Sequence, residues 1–374
     1  MALGLGMGLG FGGGGASRVF VASVGVPVLP SWLSFSCAST RYPQTGLSTL
    51  NRTGVATNTP FVWSDGVHVG LLHEPGSTNY ASYSEAFGSW TVDEPPGLTL
   101  GIVDPAGGTT GITVATPGPF GTNLYTPTYP TPLTAITVSS WVQPSTSPNT
   151  AIFGTVDNTD TLIPPPMVLN PVANSGWNRY SGTYVGTAKT LHFMDIGDQR
   201  MVSPANTPSN ASYAFYQVEG LPYATSYIPN AGPTGVTRAA SDVQFNVNSA
   251  SNTTFTLRYI QAATFAASGA CAFVGDGTNA IGLNSAGNLT FFGTTGSQVY
   301  APAVGDVVDV IIRQAGTAGY VNFQMFRNGA AYLSEQLSHG GSFNFSSKHL
   351  HIGSNGISAG LYLPATMYPK LGWQ

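Results

Sequence analysis

Apolar and polar residues alternate with a period of two in many short windows of the chain. No window of ten or more residues carries an apolar stripe at helical spacing. In "TFTLRYIQ" (254–261), Phe255, Leu257 and Tyr259 fall on one side of a strand. "LTAITVSSWVQP" (133–144) is an apolar run ending at Pro144, and "GWNRYSGTYVGT" (176–187) and "KTLHFMDIG" (189–197) read as two strands with glycine turns. In "ASYAFYQVEG" (211–220), strict alternation puts Tyr213, Phe215 and Gln217 on one face and Ala214, Tyr216 and Val218 on the other. Both faces are largely apolar, which suits a strand buried on both sides. "AIGLNSAGNLTFFG" (280–293) reads as strand, turn, strand, and "DVVDVIIRQ" (306–314) as a buried strand with charged ends. "YVNFQMFRNGAAYLSEQL" (320–337) is the strongest hairpin signal: Val321, Phe323 and Met325 share a face, and Asn328-Gly329 supplies a two-residue turn. The pattern predicts an all-β chain of two strand-rich β-sandwich units.

The stretch "PYATSYIPNAGPTGVTRAASDV" (222–243) stands apart. Its prolines and glycines exclude a helix, and it carries one basic side chain, Arg238. It reads as the exit from the first sandwich: an extended loop after Glu219, then a short strand from Thr237 to Val243. The expected organisation is a Gly-rich apolar arm (1–30), a first sandwich (31–243) and a second sandwich (244–374). The arm lacks a basic residue ahead of its apolar part, unlike a signal peptide. Glycines 12–15 interrupt it, and 19–29 is shorter than the about 20 residues of a membrane span. It reads either as a flexible Gly-rich arm or as a docking arm that orders on a partner, and the docking arm is the reading carried forward.

Composition sharpens this picture. Only 7% of the 374 residues are charged, against about 25% in ordinary globular domains. With 12 basic residues, 16 acidic residues and no basic cluster, phosphate-based nucleic-acid binding is disfavoured. So little surface charge favours a chain that buries surface against copies of itself or in an assembly. The two cysteines, Cys37 and Cys271, are too few for a disulfide framework.

No nucleophile elbow, phosphate loop or His-Glu-x-x-His motif occurs. A pair of carboxylates for glycoside hydrolysis would have to come from Glu74, Glu85, Asp93, Glu94, Asp157, Asp160 or Asp195. In His349-Leu350-His351 both imidazoles would share one strand face, as a metal site at a three-fold axis requires; two strand histidines beside Lys348 is the simpler reading. No metal or cofactor is expected. Trp63, Trp90, Trp141, Trp177 and Trp373 are candidates for stacking on sugar rings, although most tryptophans of a sandwich belong to its core.

Two segments carry a resemblance to a known family. Glu219, residues 224–229 (Ala-Thr-Ser-Tyr-Ile-Pro, with Tyr227 and Pro229), Thr237, Arg238, Ala239, Ala240 and Asp242 resemble the closing segment of a β-sandwich module found in bacteriophage virion proteins, chiefly tail and fibre-associated ones. Gly70, Leu71, Leu72, Glu74, Pro75, Thr78, Asn79, Tyr83, Ser84, Glu85, Phe87 and Trp90 resemble its opening. The chain departs from that pattern at Leu221, where the family has glycine, at Ser241, which interrupts the final run, and at Ser77, where the family has a basic residue. Residues 245–374 more loosely resemble a laminin-G or concanavalin-like sandwich.

The resemblance implies a jelly-roll fold similar to carbohydrate-binding modules, with Glu74, Thr78, Asn79, Glu85, Trp90, Glu219, Tyr227, Pro229 and Arg238 as structural motif residues. It further implies a non-enzymatic virion protein of tail-fibre or fibre-associated kind. Its partners would be other virion proteins through the arm, sister chains in a homotrimer, and host-surface carbohydrate. A capsid-decorating or head-fibre protein without a receptor role, and a polysaccharide-degrading tail enzyme, are the alternatives.

Overall fold

The structure is a computed structural model that describes residues 18–20, 33–40, 54–64, 69–93, 97–116, 123–127, 132–144, 151–159, 163, 167–169, 176–196, 209–246, 254–261, 270–277, 280–291, 294–314, 320–338, 349–352, 365–367 and 371–373. Among the described residues the regular secondary structure is β, apart from one 3-10 turn at Phe87–Ser89. The expectation of an all-β chain built from sandwiches holds.

One sandwich is a nine-stranded sheet folded over on itself. Its main path runs Met167–Leu169, Ala151–Asp157, Asn178–Ile196, Pro132–Pro144, Ser209–Glu219, Gly111–Thr116 and Gly97–Ile102. Asn123–Pro127 adds to Asn178–Ile196, and Thr91–Asp93 adds to Asn123–Pro127. The two strands expected over 176–197 are one strand of 19 residues, Asn178–Ile196. Its first part pairs with Pro132–Pro144, and its last residues pair with Ala151–Asp157 and Asn123–Pro127. The change of partners occurs beside a register shift, where Leu133 faces Lys189 but Ala135 faces Val185. Extra residues in a strand bend it, which is how one strand serves both layers. Ile112, Val114, Ile136, Val138 and Val142 from one layer meet Leu124, Phe153, Leu191 and Ile196 from the other in a buried core.

Strict alternation fails in Ser209–Glu219. Ser139 faces Gln217 but Trp141 faces Ala214, so this strand holds one residue more than its partner. Phe215 takes up the slack with φ of 54°. Tyr213 and Tyr216 therefore point to the same core, while Ala214 and Phe215 belong to a second cluster with Trp141 and Tyr227 on the opposite face.

The other sandwich has two seven-stranded sheets. One runs Arg18–Phe20, Leu371–Trp373, Thr254–Gln261, Val307–Gln314, Tyr320–Arg327, Ala330–Ser338, with Ala365–Met367 also on Thr254–Gln261. Its partner runs Leu33–Cys37, Ser241–Asn246, His349–Ile352, Cys271–Gly275, Ala280–Leu283, Asn288–Phe291, Thr294–Val299. Alternation is obeyed here: Phe255, Leu257 and Tyr259, with Val321, Phe323 and Met325, line the core. The Asn328-Gly329 turn forms as expected, with φ of 51° and 82°, the left-handed pair that a two-residue hairpin requires.

Strands from three expected units meet in this second sandwich. Arg18–Phe20, within the expected arm, pairs with Leu371–Trp373. Leu33–Cys37, from the expected first unit, pairs with Ser241–Asn246, which straddles the expected 243/244 boundary. Leu71 joins the same core. The nine-stranded sandwich thus lies between two strands that are neighbours in one sheet, with Cys37 opposite Ser241 where the chain leaves and returns. The rest of residues 1–30 lies outside the described residues.

Candidate functional site

The two segments singled out in the sequence meet in space. Ser77–Asn79 pairs antiparallel with Val236–Arg238, so that Thr78 faces Thr237 and their hydroxyls lie 2.8 Å apart. Around this short ladder lies a set of buried polar groups. Arg238, 2% exposed, donates from Nη1 to Glu74 Oε2 at 2.9 Å and from Nη2 to the Pro75 carbonyl at 3.1 Å. Glu74 also accepts from the Ser226 amide and hydroxyl. Glu219, with no exposed surface, accepts from the Ser77 hydroxyl at 2.7 Å and from both the amide and the hydroxyl of Thr225. A buried carboxylate is tolerable when its oxygens are filled with donors, and both glutamates meet that condition.

Asn79 uses its amide in both directions. Nδ2 donates to the Ile228 carbonyl at 2.8 Å, and Oδ1 accepts from the Ala81 and Val218 amides at 3.0 and 3.1 Å. Tyr227 places its hydroxyl 2.7 Å from Ser84 Oγ. Burial, then the Glu85 carboxylate, push that phenol well above its ordinary range. Its ring packs on Phe215 and Trp141 at centroid distances of 5.0 and 6.1 Å. Pro229 is half-buried between Ile228 and Asn230. Trp90, 5% exposed, donates Nε1 to the Tyr83 carbonyl and packs on Phe87 and Tyr216.

Residues 221–230 therefore form a strap across the outer face of the sheet, over Pro132–Pro144 and Ser209–Glu219. The Leu221 carbonyl accepts from Thr137 Oγ1 at 2.6 Å, the Ile228 amide donates to Gln217 Oε1 at 2.7 Å, and Tyr227 covers Trp141.

Three members of this network escaped the sequence reading: Gln217, Asn230 and Arg179. Gln217 was visible as one amide inside an apolar run, a residue that needs a partner if buried. Asn230 bonds the carbonyls of Ala81 and Thr234, each at 2.7 Å. Arg179 donates to the Thr225 carbonyl at 2.6 Å and to Ser139 Oγ at 2.9 Å, with its guanidinium 4.6 Å from the Trp141 ring centre. Nothing local in the sequence marks Arg179, since it reaches the strap from a separate strand.

The stacking candidates separate clearly. Trp141 and Trp90 are buried, so neither presents a ring to a ligand. Trp177 is half-buried, with Nε1 donated to the Val103 carbonyl at 3.1 Å. The side chains of Trp63 and Trp373 lie outside the described residues. Of the carboxylates weighed for hydrolysis, Glu74 is held by Arg238, and Asp157 is buried and bonded to Lys189 and Thr159. Glu85 faces Tyr227. The side chains of Asp93, Glu94, Asp160 and Asp195 lie outside the described residues.

His351 Nδ1 lies 2.8 Å from Asp242 Oδ1. That bond engages the ring nitrogen with a carboxylate of the neighbouring strand. The His349 side chain lies outside the described residues. Among the described residues no group of three or more His, Cys, Asp or Glu side chains is placed to hold a metal ion. Cys37 and Cys271 are buried free thiols.

No protein-family model matches the chain, and no curated protein matches it. Among solved structures it is similar to "Mouse laminin alpha1 chain, domains LG4-5", at 12% identity over 75% of this chain and 91% of that one, with a TM-score of 0.22.

Proposed function

We propose that the protein is a non-enzymatic structural component of a bacteriophage particle, of tail-fibre or fibre-associated kind, which holds the particle to host-surface glycan. One observation supports this reading above the others. The two segments that resemble the phage virion module, 70–90 and 219–242, contribute Glu74, Ser77, Asn79, Glu219, Tyr227 and Arg238 to a single buried network. Their residues depend on one another physically, as the parts of one module should. The glutamates serve as acceptors for fixed donors, a role in architecture rather than chemistry. In this reading residues 1–17 carry the attachment to the particle, sister chains associate as a trimer, and the sandwiches face outward.

Imaging of whole particles with an antibody against this chain tests the proposal. Label on a tail or fibre supports it. Label on the capsid would replace it with the decoration reading, and absence of the chain from purified particles would end both.

A further inference from the structure

One margin of the nine-stranded sandwich is open. Gly97–Ile102 ends the main path of one layer and pairs only with Gly111–Thr116. Thr91–Asp93 is an outer strand of the other layer and pairs only with Asn123–Pro127. Among the described residues no strand pairs with the outer edge of either. Leu98 and Leu100 stand opposite Val114 and Ile112, and Val92 stands opposite Leu124; these partners all belong to the buried core. Residues opposite each other in a ladder share a face, so Leu98, Leu100 and Val92 are aimed into the sandwich. Leu98 packs on that core. Leu100 and Val92 nonetheless remain 57% and 43% exposed. Leu100 Cδ1 comes within 3.8 Å of the place that a side-chain carbon on Gly88 would take, in the turn that leads into Thr91–Asp93. The seam between the two edge strands therefore leaves inward-pointing apolar side chains in contact with water.

The edge beside that seam is unguarded. Edge strands are ordinarily protected by charge, proline or a bulge. Gly97–Ile102 reads Gly-Leu-Thr-Leu-Gly-Ile, with no charge and no proline, and its bulge comes only after Leu100, at Gly101 with φ of 76°. Residues 97–100 thus offer a straight run of unpaired backbone groups. A strand that fills this margin needs apolar side chains two residues apart on one face. The chain contains such a sequence. Residues 3–11 read Leu-Gly-Leu-Gly-Met-Gly-Leu-Gly-Phe. As a strand, Leu3, Leu5, Met7, Leu9 and Phe11 make one apolar face, and glycines alone make the other. Glycine disfavours a free-standing strand but suits one laid close against another backbone.

We infer that residues 3–11 of one copy add as a strand to the edge at 97–100 of a second copy, with their apolar side chains set into the seam beside Leu100 and Val92. The inference rests on the arm's role in the proposed function and gives that arm its seat: each chain is held to the particle through a neighbouring copy. Strand addition gains main-chain hydrogen bonds along the free edge and removes the exposed parts of Leu100 and Val92 from water. The root of the arm favours a second copy over the same chain. Arg18–Phe20 pairs with Leu371–Trp373, in the sheet opposite the one from which the chain departs into the nine-stranded sandwich. Residues 12–17 reach at most about 20 Å, and crossing between two packed sheets takes about 10 Å of that. A copy alongside is free of this limit.

The test follows hydrogen exchange of the purified full chain by mass spectrometry, from dilute to concentrated solution. The expected result is open, fast exchange over 97–100 in dilute solution that slows at least about tenfold as concentration rises. Met7→Asp in the arm and Leu100→Asp in the seat should each abolish the slowing; Leu100 is exposed, so the change spares the core. Mixing the two variants supplies one intact arm and one intact seat, and protection should return on the Met7→Asp chain alone. Protection that is unchanged by dilution would put the arm on its own chain and overturn the inference. Slowing lost with Leu100→Asp but kept with Met7→Asp would mean that edge pairs with edge, and overturns it too, as does fast exchange at every concentration. These measurements need no particle, so their failure leaves the virion reading to imaging, and failure of the imaging leaves them standing.

Discussion

Arg238 Nη1 lies 2.9 Å from Glu74 Oε2 across 164 positions of sequence, and both side chains are withdrawn from water. Glu74 thereby holds both the short strand Val236–Arg238 and, through Ser226, the strap. Removing one partner strands the other as a buried charge, at a cost of about 3–5 kcal/mol, whereas replacing both is far milder. Arg238→Met should therefore lower unfolding free energy by about that amount, and Glu74→Gln combined with Arg238→Met by clearly less. Denaturant unfolding of the three proteins gives the comparison. A double variant at least as damaged as Arg238→Met alone would mean that the pair's charges are not the controlling feature.

Acid should weaken the fold through carboxylates that the native state holds ionised. Burial alone would raise the Asp104 carboxyl, but bonds from the Thr110 hydroxyl and the amides of Thr110, Ala106 and Gly108 outweigh it and pull it below its usual range. Asp242 is lowered likewise, burial being outweighed by His351 and Gln244. A folded value below the unfolded one means stability that is present above the unfolded value of about 3.9 and is lost as pH falls through the folded value. Asp104→Asn should cost stability at pH 7, and the gap to the unaltered protein should close below about pH 4. A gap independent of pH would contradict the carboxylate's role.

The chain crossings set what can fold alone. Residues 244–374 lack Leu33–Cys37 and most of the face that Ser241–Asn246 presents to it, both strands of one sheet. Expressed alone, this fragment should show no single cooperative transition, while a chain lacking only residues 1–17 should unfold as the full chain does. Calorimetry of both decides; a cooperative fragment would show that the two strands are dispensable.

Cys271 should be inert in the native protein. It is 1% exposed, and burial pushes its thiol up to about 12. Thiolate is the reactive form, and Cys37 is buried as well. A disulfide-exchange reagent at pH 8 should find no reactive thiol before unfolding and two afterwards. Rapid native labelling at either position would disprove this packing.

Much of the fold was legible in local pattern, because alternation and turn chemistry act over a few residues. Phe255, Leu257 and Tyr259 take the faces that a period of two assigns, and Asn328-Gly329 turns where its left-handed preference requires. Segments 70–90 and 219–242 were also singled out in the sequence, and they meet in the ladder of Ser77–Asn79 with Val236–Arg238. Pattern misled where the backbone departs from its period: the bulge at Phe215 turns Tyr216 toward Tyr213's core, and a local excess of residues lets Asn178–Ile196 run on past its glycines. Partnership lay beyond the sequence altogether. Which sheet receives Leu33–Cys37 and which carboxylate meets Arg238 depend on contacts between residues far apart in the chain. Those contacts are chosen by closing long loops around shared cores, where burial and paired hydrogen bonds must together exceed the entropy of bringing distant segments into register. Only the assembled tertiary structure decides that balance.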